Sequence, residues 1–222
     1  MLLTGKGGET WTTFPGEAVD SVRQAITHIM RTESFPKKLV VLSAMRQEGV
    51  TYLSRAIGTV LANDFGRKTC VLELNWWWPA DYPKIVVGRP GIAEVLLGDI
   101  PLEEAFIPTG LDNLTLIPAG KQAHKLRSNF TKNEELLNVL TTLQNQFDHI
   151  ILDLPAVTAT SDAILLASLG TAVSLVIRQG VTPVQRVKAT LDDLDHLNIT
   201  GVIMNQVSVA TPSYLLEYIV QE

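Results

Sequence analysis

The run Leu39-Val40-Val41-Leu42-Ser43 passes directly into Ala44-Met45-Arg46-Gln47-Glu48-Gly49-Val50-Thr51, and a helical pattern begins at once after it. Apolar residues on successive positions read as a strand covered on both faces. A turn between such a strand and a helix brings backbone N–H groups and the positive end of the helix dipole to one point, the arrangement that cradles phosphate. The full motif places lysine and then serine or threonine after its last glycine, the lysine reaching the β- and γ-phosphates and the hydroxyl binding magnesium. Gly49 and Thr51 hold their places here, and the lysine position is Val50. Taken alone the stretch is ambiguous, because glycine-x-threonine also opens ordinary helices with the threonine as N-cap.

Working outward, further β-branched runs are predicted as strands at Thr69–Leu74, Leu114–Pro118, His149–Leu154, Ala172–Ile177 and Thr200–Met204. Helices are predicted at Glu17–Arg31, Thr51–Phe65, Lys132–Gln146, Ser161–Ser168, Pro183–His196 and Thr211–Val220, with Thr182-Pro183 and Thr211-Pro212 as starts of the N-cap-then-proline kind. Strands alternating with helices, joined by right-handed crossovers, imply an α/β fold with a doubly wound, mostly parallel sheet of the P-loop NTPase type. One domain is expected over residues 17–222, preceded by a flexible terminus over 1–16, where Gly5-Lys6-Gly7-Gly8 imitates a phosphate loop without a preceding strand. Irregular sequence follows strands at Trp76–Pro90 and Ala119–Thr131. In such sheets the ligand crevice lies outside the carboxyl ends of the strands, so both loops are candidate walls.

Composition bounds the rest. The chain has 222 residues, 46% hydrophobic and 18% charged, enough for one well-buried core. A formal charge of −5 with scattered basic residues leaves no footprint for nucleic acid. The lone cysteine, Cys70, lies in an apolar run and reads as a buried hydrophobe. Neither a leader peptide nor an apolar run of membrane-spanning length is present, so a cytoplasmic protein is expected, with any membrane role passing through a partner. His28, His124, His149 and His196 have no metal-ligand spacing. Of Trp76-Trp77-Trp78, at least one is expected to be exposed or set against a partner.

A set of landmarks then arrives in order. Glu17-Ala18 opens the first long helix, Ser43-Ala44 leads to Glu48-Gly49, and Gly66-Arg67-Lys68 precedes the next strand. Gly91-Ile92-Ala93-Glu94-Val95-Leu96 with Gly98, and Leu116-Ile117-Pro118-Ala119-Gly120, follow. Phe147-Asp148-His149-Ile150-Ile151-Leu152-Asp153-Leu154-Pro155-Ala156-Val157 has the form of a Walker B segment, an apolar strand ending in aspartate with a proline two residues on. Ser161-Asp162, Arg178-Gln179-Gly180-Val181-Thr182 and Gly201-Val202-Ile203-Met204-Asn205 complete the series. From Gly16 almost to its end the sequence resembles the bacterial tyrosine kinases of capsule and exopolysaccharide systems, within the deviant P-loop ATPases.

The resemblance implies ATP or ADP with magnesium, held by Arg46, Gln47, Glu48, Gly49, Val50 and Thr51, with Asn205 near the adenine. It implies Asp153 and Glu73 as the acidic catalytic residues, and Thr51 and Asp153 as magnesium ligands. By residue chemistry alone Asp153 is also readable as a strand-terminal cap. Four departures stand out. The lysine is Val50. The family's pair of aspartates after the second strand is Glu73 and Asn75, with its basic stretch replaced by the tryptophans. A helix face of glutamate and two arginines, used in ring assembly, reads Glu17, Asp20, Arg23. The tyrosine-rich tail is reduced to Tyr214 and Tyr218.

The expectation is a catalytically degenerate kinase, a regulatory scaffold binding nucleotide weakly or not at all. Its implied partner is a membrane-embedded chain-length regulator or co-polymerase that recruits it to the inner face of the plasma membrane, with homo-oligomers as a family trait. Two alternatives stay open: an active tyrosine autokinase with Arg46 or Arg55 as the replacement cation, and a positioning ATPase.

Overall fold

The computed structural model describes residues 1–80, 88–127 and 134–207. In chain order the elements are β1 (Leu2–Thr4), β2 (Thr10–Thr13), α1 (Gly16–Thr32), β3 (Lys38–Ser43), α2 (Val50–Asp64), β4 (Thr69–Glu73) and α3 (Ile92–Leu96). There follow β5 (Ile107–Pro108), β6 (Leu114–Ile117), α4 (Glu134–Gln146), β7 (His149–Asp153), α5 (Asp162–Ala167), β8 (Ala172–Arg178), α6 (Val184–Asp193) and β9 (Ile199–Asn205). Seven strands form one sheet in the order β5-β6-β4-β7-β3-β8-β9. The six strands read from the sequence are all present and mutually parallel. The addition is β5, a two-residue antiparallel edge.

The doubled apolar pattern of the central strands has a direct cause. Val40 and Leu42 of β3, with Ile150 and Leu152 of β7, enter a core layer under Leu136, Leu140 and Leu143 of α4 and Leu166 of α5. Their neighbours Leu39, Val41 and Ile151 enter the opposite layer with Val19 and Ile26 of α1 and Leu53, Ile57 and Val60 of α2. Helices cover both faces, so neither set of alternate residues meets water. Helix α2 lies close on the sheet, because a Cβ at Gly58 would come within 2.6 Å of Val71 Cγ2. Cys70 is fully buried, and burial pushes its thiol up, away from reactivity.

Two expectations are corrected. Residues 1–16 are not a loose terminus: β1 and β2 pair antiparallel, Met1 O accepts from Phe14 N–H at 2.8 Å, and Leu3 and Phe14 are 0% and 1% exposed. Phe14 packs edge-on against Tyr52 of α2 at 5.2 Å. Strands this short, separated by glycines, give no period-2 signal to read. Nor does Thr182 cap α6, since Pro183 holds the cap position and the threonine hydroxyl turns to the phosphate loop. The helix read at Thr211–Val220, with Tyr214 and Tyr218, lies outside the described residues, as do Lys132 and Asn133. Among the described residues no helix is long and apolar enough to cross a membrane.

Because the hairpin closes one core layer, Phe14→Ala is expected to lower unfolding free energy by about 3 kcal/mol in urea titration. A terminus resting loosely on the surface would instead change it by less than about 0.5 kcal/mol.

Candidate functional site

The turn after β3 takes the conformation the sequence demands. Gly49 has φ +96°, and a Cβ there would come within 2.1 Å of Asn205 Nδ2, so both backbone and space require glycine. Gln47 is left-handed as well, at φ 65°. The turn is tied down from several directions. Glu48, 2% exposed, accepts from Met45 N–H at 2.8 Å through Oε2 and from the Thr182 hydroxyl through Oε1. Asn205 Nδ2, at the end of β9, donates to Glu48 O at 2.8 Å. The Thr158 hydroxyl, from the loop after β7, donates to Ala44 O at 2.7 Å. Three neighbouring chain segments therefore fix the loop before any ligand arrives.

Above the loop lies a cleft of about 230 Å³, lined by Arg46, Gln47, Gly49, Val50, Thr51, Asn75 and Trp78 among others. It opens at the carboxyl end of the sheet, where the topology places ligands. Val50 lines this cleft and also packs on the apolar layer beneath α1 and α2. The Arg46 guanidinium lies 3.8 Å from the centroid of the Trp78 ring. Trp76 is wholly buried, and Trp78 is 38% exposed. Asn75 Oδ1 accepts from Trp78 N–H at 3.1 Å and shapes that turn.

Asp153 ends β7, directly across the ladder from Glu73 at the end of β4, and both are 2% exposed. The Thr51 side chain hydrogen-bonds Asp153, while Asp153 Oδ1 has no partner. Burial, and then the neighbouring Glu73 charge, push the Asp153 carboxyl up to about 7, with the Thr51 hydrogen bond and the Arg55 charge pulling the other way. An orphaned buried oxygen beside a helix-opening threonine hydroxyl is what a magnesium ion would fill, and the oxygen donors suit that hard cation. The residues present thus fit a magnesium nucleotide at Thr51 and Asp153. Thr51 and Asp153 would hold the metal and the backbone N–H groups of the turn the phosphates, the metal supplying positive charge against them.

Other predicted site residues have different work. Glu73 accepts from Ala80 N–H and, at 3.1 Å, from Ala119 N–H, so its carboxyl clasps the loops following β4 and β6. Glu48 and Asn205 are engaged in holding the phosphate loop itself. Arg55 is buried in α2, 7% exposed, where its charge acts on Asp153 from within the protein. Among the described residues lining the cleft, Arg46 is the basic one. On α1, Arg23 pairs with Asp20 at 2.5 Å and with Asp64 of α2 at 2.7 Å, an intramolecular use of that face. Sequence reasoning missed the roles of Thr158 and Thr182. Their hydroxyls lie more than a hundred residues from the loop they hold, and only the segment Arg178–Thr182 was singled out at all.

No family model matches the chain. It is similar to the tyrosine-protein kinase Ptk of Acinetobacter johnsonii, 27% identical over 203 residues, 89% of this chain and 27% of the relative. It is also similar to the succinoglycan biosynthesis transport protein ExoP of Rhizobium meliloti strain 1021, 26% identical over 187 residues, 80% of this chain and 23% of the relative. The chain thus spans about a quarter of the length of these curated relatives. Among solved structures, the kinase domain of the Escherichia coli tyrosine kinase ETK matches with TM-score 0.72 at 21% identity, covering 88% of this chain and 79% of that one. A cobyrinic acid a,c-diamide synthase from Mycobacterium smegmatis, with bound ATP analog and magnesium, matches with TM-score 0.65 at 19% identity, covering 85% and 83%. Over most of its length the chain is similar to bacterial tyrosine kinases, and its fold is the doubly wound P-loop architecture.

The buried acid gives a pH signature. The folded protein holds the Asp153 proton more tightly than the unfolded chain, so this group favours folding most at acid pH. Its contribution falls away as pH rises from the ordinary value of 3.8 through about 7. Asp153→Asn is expected to flatten stability across that window and to raise it by about 1 kcal/mol or more near pH 8, read by urea titration. An unchanged pH profile would contradict the placement of this acid.

Proposed function

We propose that this chain is a kinase-like domain of a bacterial exopolysaccharide or capsule assembly system that has given up phosphoryl transfer. It works as a regulatory scaffold on the inner face of the plasma membrane, docked on a membrane-embedded chain-length regulator or co-polymerase. The observation that carries this reading is Val50, apolar and packed on the core at the lysine position, inside a loop whose other holding contacts are intact. Phosphoryl transfer rests on positioning and charge neutralisation. A missing charge donor of that kind removes several kcal/mol from transition-state stabilisation, about 10²-fold or more in rate. Backbone N–H groups still hold phosphate in the ground state.

The polysaccharide setting is supported by the relatives, a tyrosine-protein kinase and a succinoglycan biosynthesis transport protein. Docking through a protein suits a net charge of −5, which gives no overall attraction to anionic lipid headgroups. A second reading, an active autokinase, is favoured by one feature, the Arg46 side chain in the cleft. It requires label from ATP to reach a tyrosine such as Tyr214 or Tyr218.

With labelled ATP and magnesium, the native protein is expected to transfer no phosphate to tyrosine, whereas Val50→Lys should raise ATP turnover about 10²-fold. Native transfer at rates that Val50→Lys does not increase would establish the autokinase instead.

A further inference from the structure

Arg46 stands on the phosphate loop, in the wall of the cleft. It lines the cleft, its guanidinium stacks on Trp78 at 3.8 Å, and among the described residues it takes part in no ion pair. Stacking uses the face of the guanidinium plane. Its five N–H donors lie in that plane and stay available to an acceptor, which is the geometry in which arginine grips phosphate with paired hydrogen bonds. Aromatic stacking also restricts the side chain in advance, so less freedom is lost when a ligand is gripped.

The surroundings need such a cation. The loop offers backbone N–H groups and a helix N-terminus, but Val50 contributes no charge. Beneath it Asp153 leaves Oδ1 unpartnered beside Thr51, an acid awaiting a positive ligand. Arg55 is enclosed in the core, which leaves Arg46, among the described residues, to meet a polyphosphate in the cleft.

We propose that Arg46, held by Trp78, is the relocated phosphate-binding cation of this domain, and that it lets the cleft bind a nucleoside diphosphate despite Val50. The inference rests on reading the cleft as a phosphate site, and it concerns binding, not transfer. A positioned arginine grips ground-state phosphate, which is compatible with a scaffold that senses nucleotide without consuming it.

The test is calorimetric titration with ADP and magnesium, repeated with inorganic pyrophosphate as competitor. The native protein is expected to bind ADP, and pyrophosphate to compete. Arg46→Ala should weaken binding about 10-fold or more, Arg46→Lys less so, and Trp78→Ala about 3-fold, each with an unchanged urea midpoint. Equal ADP binding by native protein and Arg46→Ala overturns the inference and leaves the phosphate cradle standing. Tighter binding by Arg46→Ala or Trp78→Ala also overturns it, making the stack a plug. Binding by Val50→Lys alone overturns the inference while keeping the cradle. Binding by neither native protein nor Val50→Lys removes both.

Discussion

Glu48 sits inside its own loop with almost no exposure, and its carboxyl group accepts from Met45 N–H and from the Thr182 hydroxyl. A buried carboxyl must find such partners or forfeit several kcal/mol, so the contact is strongly conditional on the loop having one shape. That shape in turn sets Gly49 at positive φ, leaves room for Asn205 to reach Glu48 O, and starts α2 at Val50. The cradle is therefore held by interactions inside the protein. A lysine that acts on the ligand can be lost from such a loop without the loop collapsing, which is why an apolar residue at position 50 coexists with an otherwise complete phosphate turn.

A second constraint lies below the loop. Asp153 and Glu73 face each other at the ends of adjacent strands, both buried. Glu73 is satisfied by two backbone N–H groups, and Asp153 is only half satisfied, by Thr51. The Glu73 charge and burial raise the cost of ionising Asp153, and the Arg55 charge offsets it only in part. The pair separates into a structural member, which fixes the walls of the cleft, and a member whose Oδ1 has no hydrogen-bond partner among the described residues. The longer arm of glutamate at position 73 is what reaches both Ala80 and Ala119.

Much of this was legible beforehand, for identifiable reasons. Strands buried on both faces announce themselves by unbroken apolar runs, so all six parallel strands and the turn after β3 could be read, with boundaries within a residue or so. Asp153 could be placed because the strand ending in it is so strongly apolar. The hairpin at Leu2–Thr13 was not legible, because its stability comes from Leu3 and Phe14 entering a core layer, Phe14 against Tyr52 of α2, and not from any local pattern. The hydroxyls that hold the loop were hidden for a similar reason, since Thr158 at Ala44 O and Thr182 at Glu48 come from distant segments and leave no spacing to recognise. Arg46 stood in plain view as a candidate, but only the structure distinguishes it from Arg55, by putting one on an aromatic ring in the cleft and the other in the core.

The central claim is that a complete phosphate cradle persists without its lysine. The most direct measurement is a crystal structure of the native protein grown with ADP and magnesium. The account predicts a diphosphate on the backbone between Gly49 and Thr51, with a metal ion joining it to Thr51 and Asp153. A cleft that stays empty of nucleotide at saturating ADP, or a nucleotide held away from this loop, would contradict it.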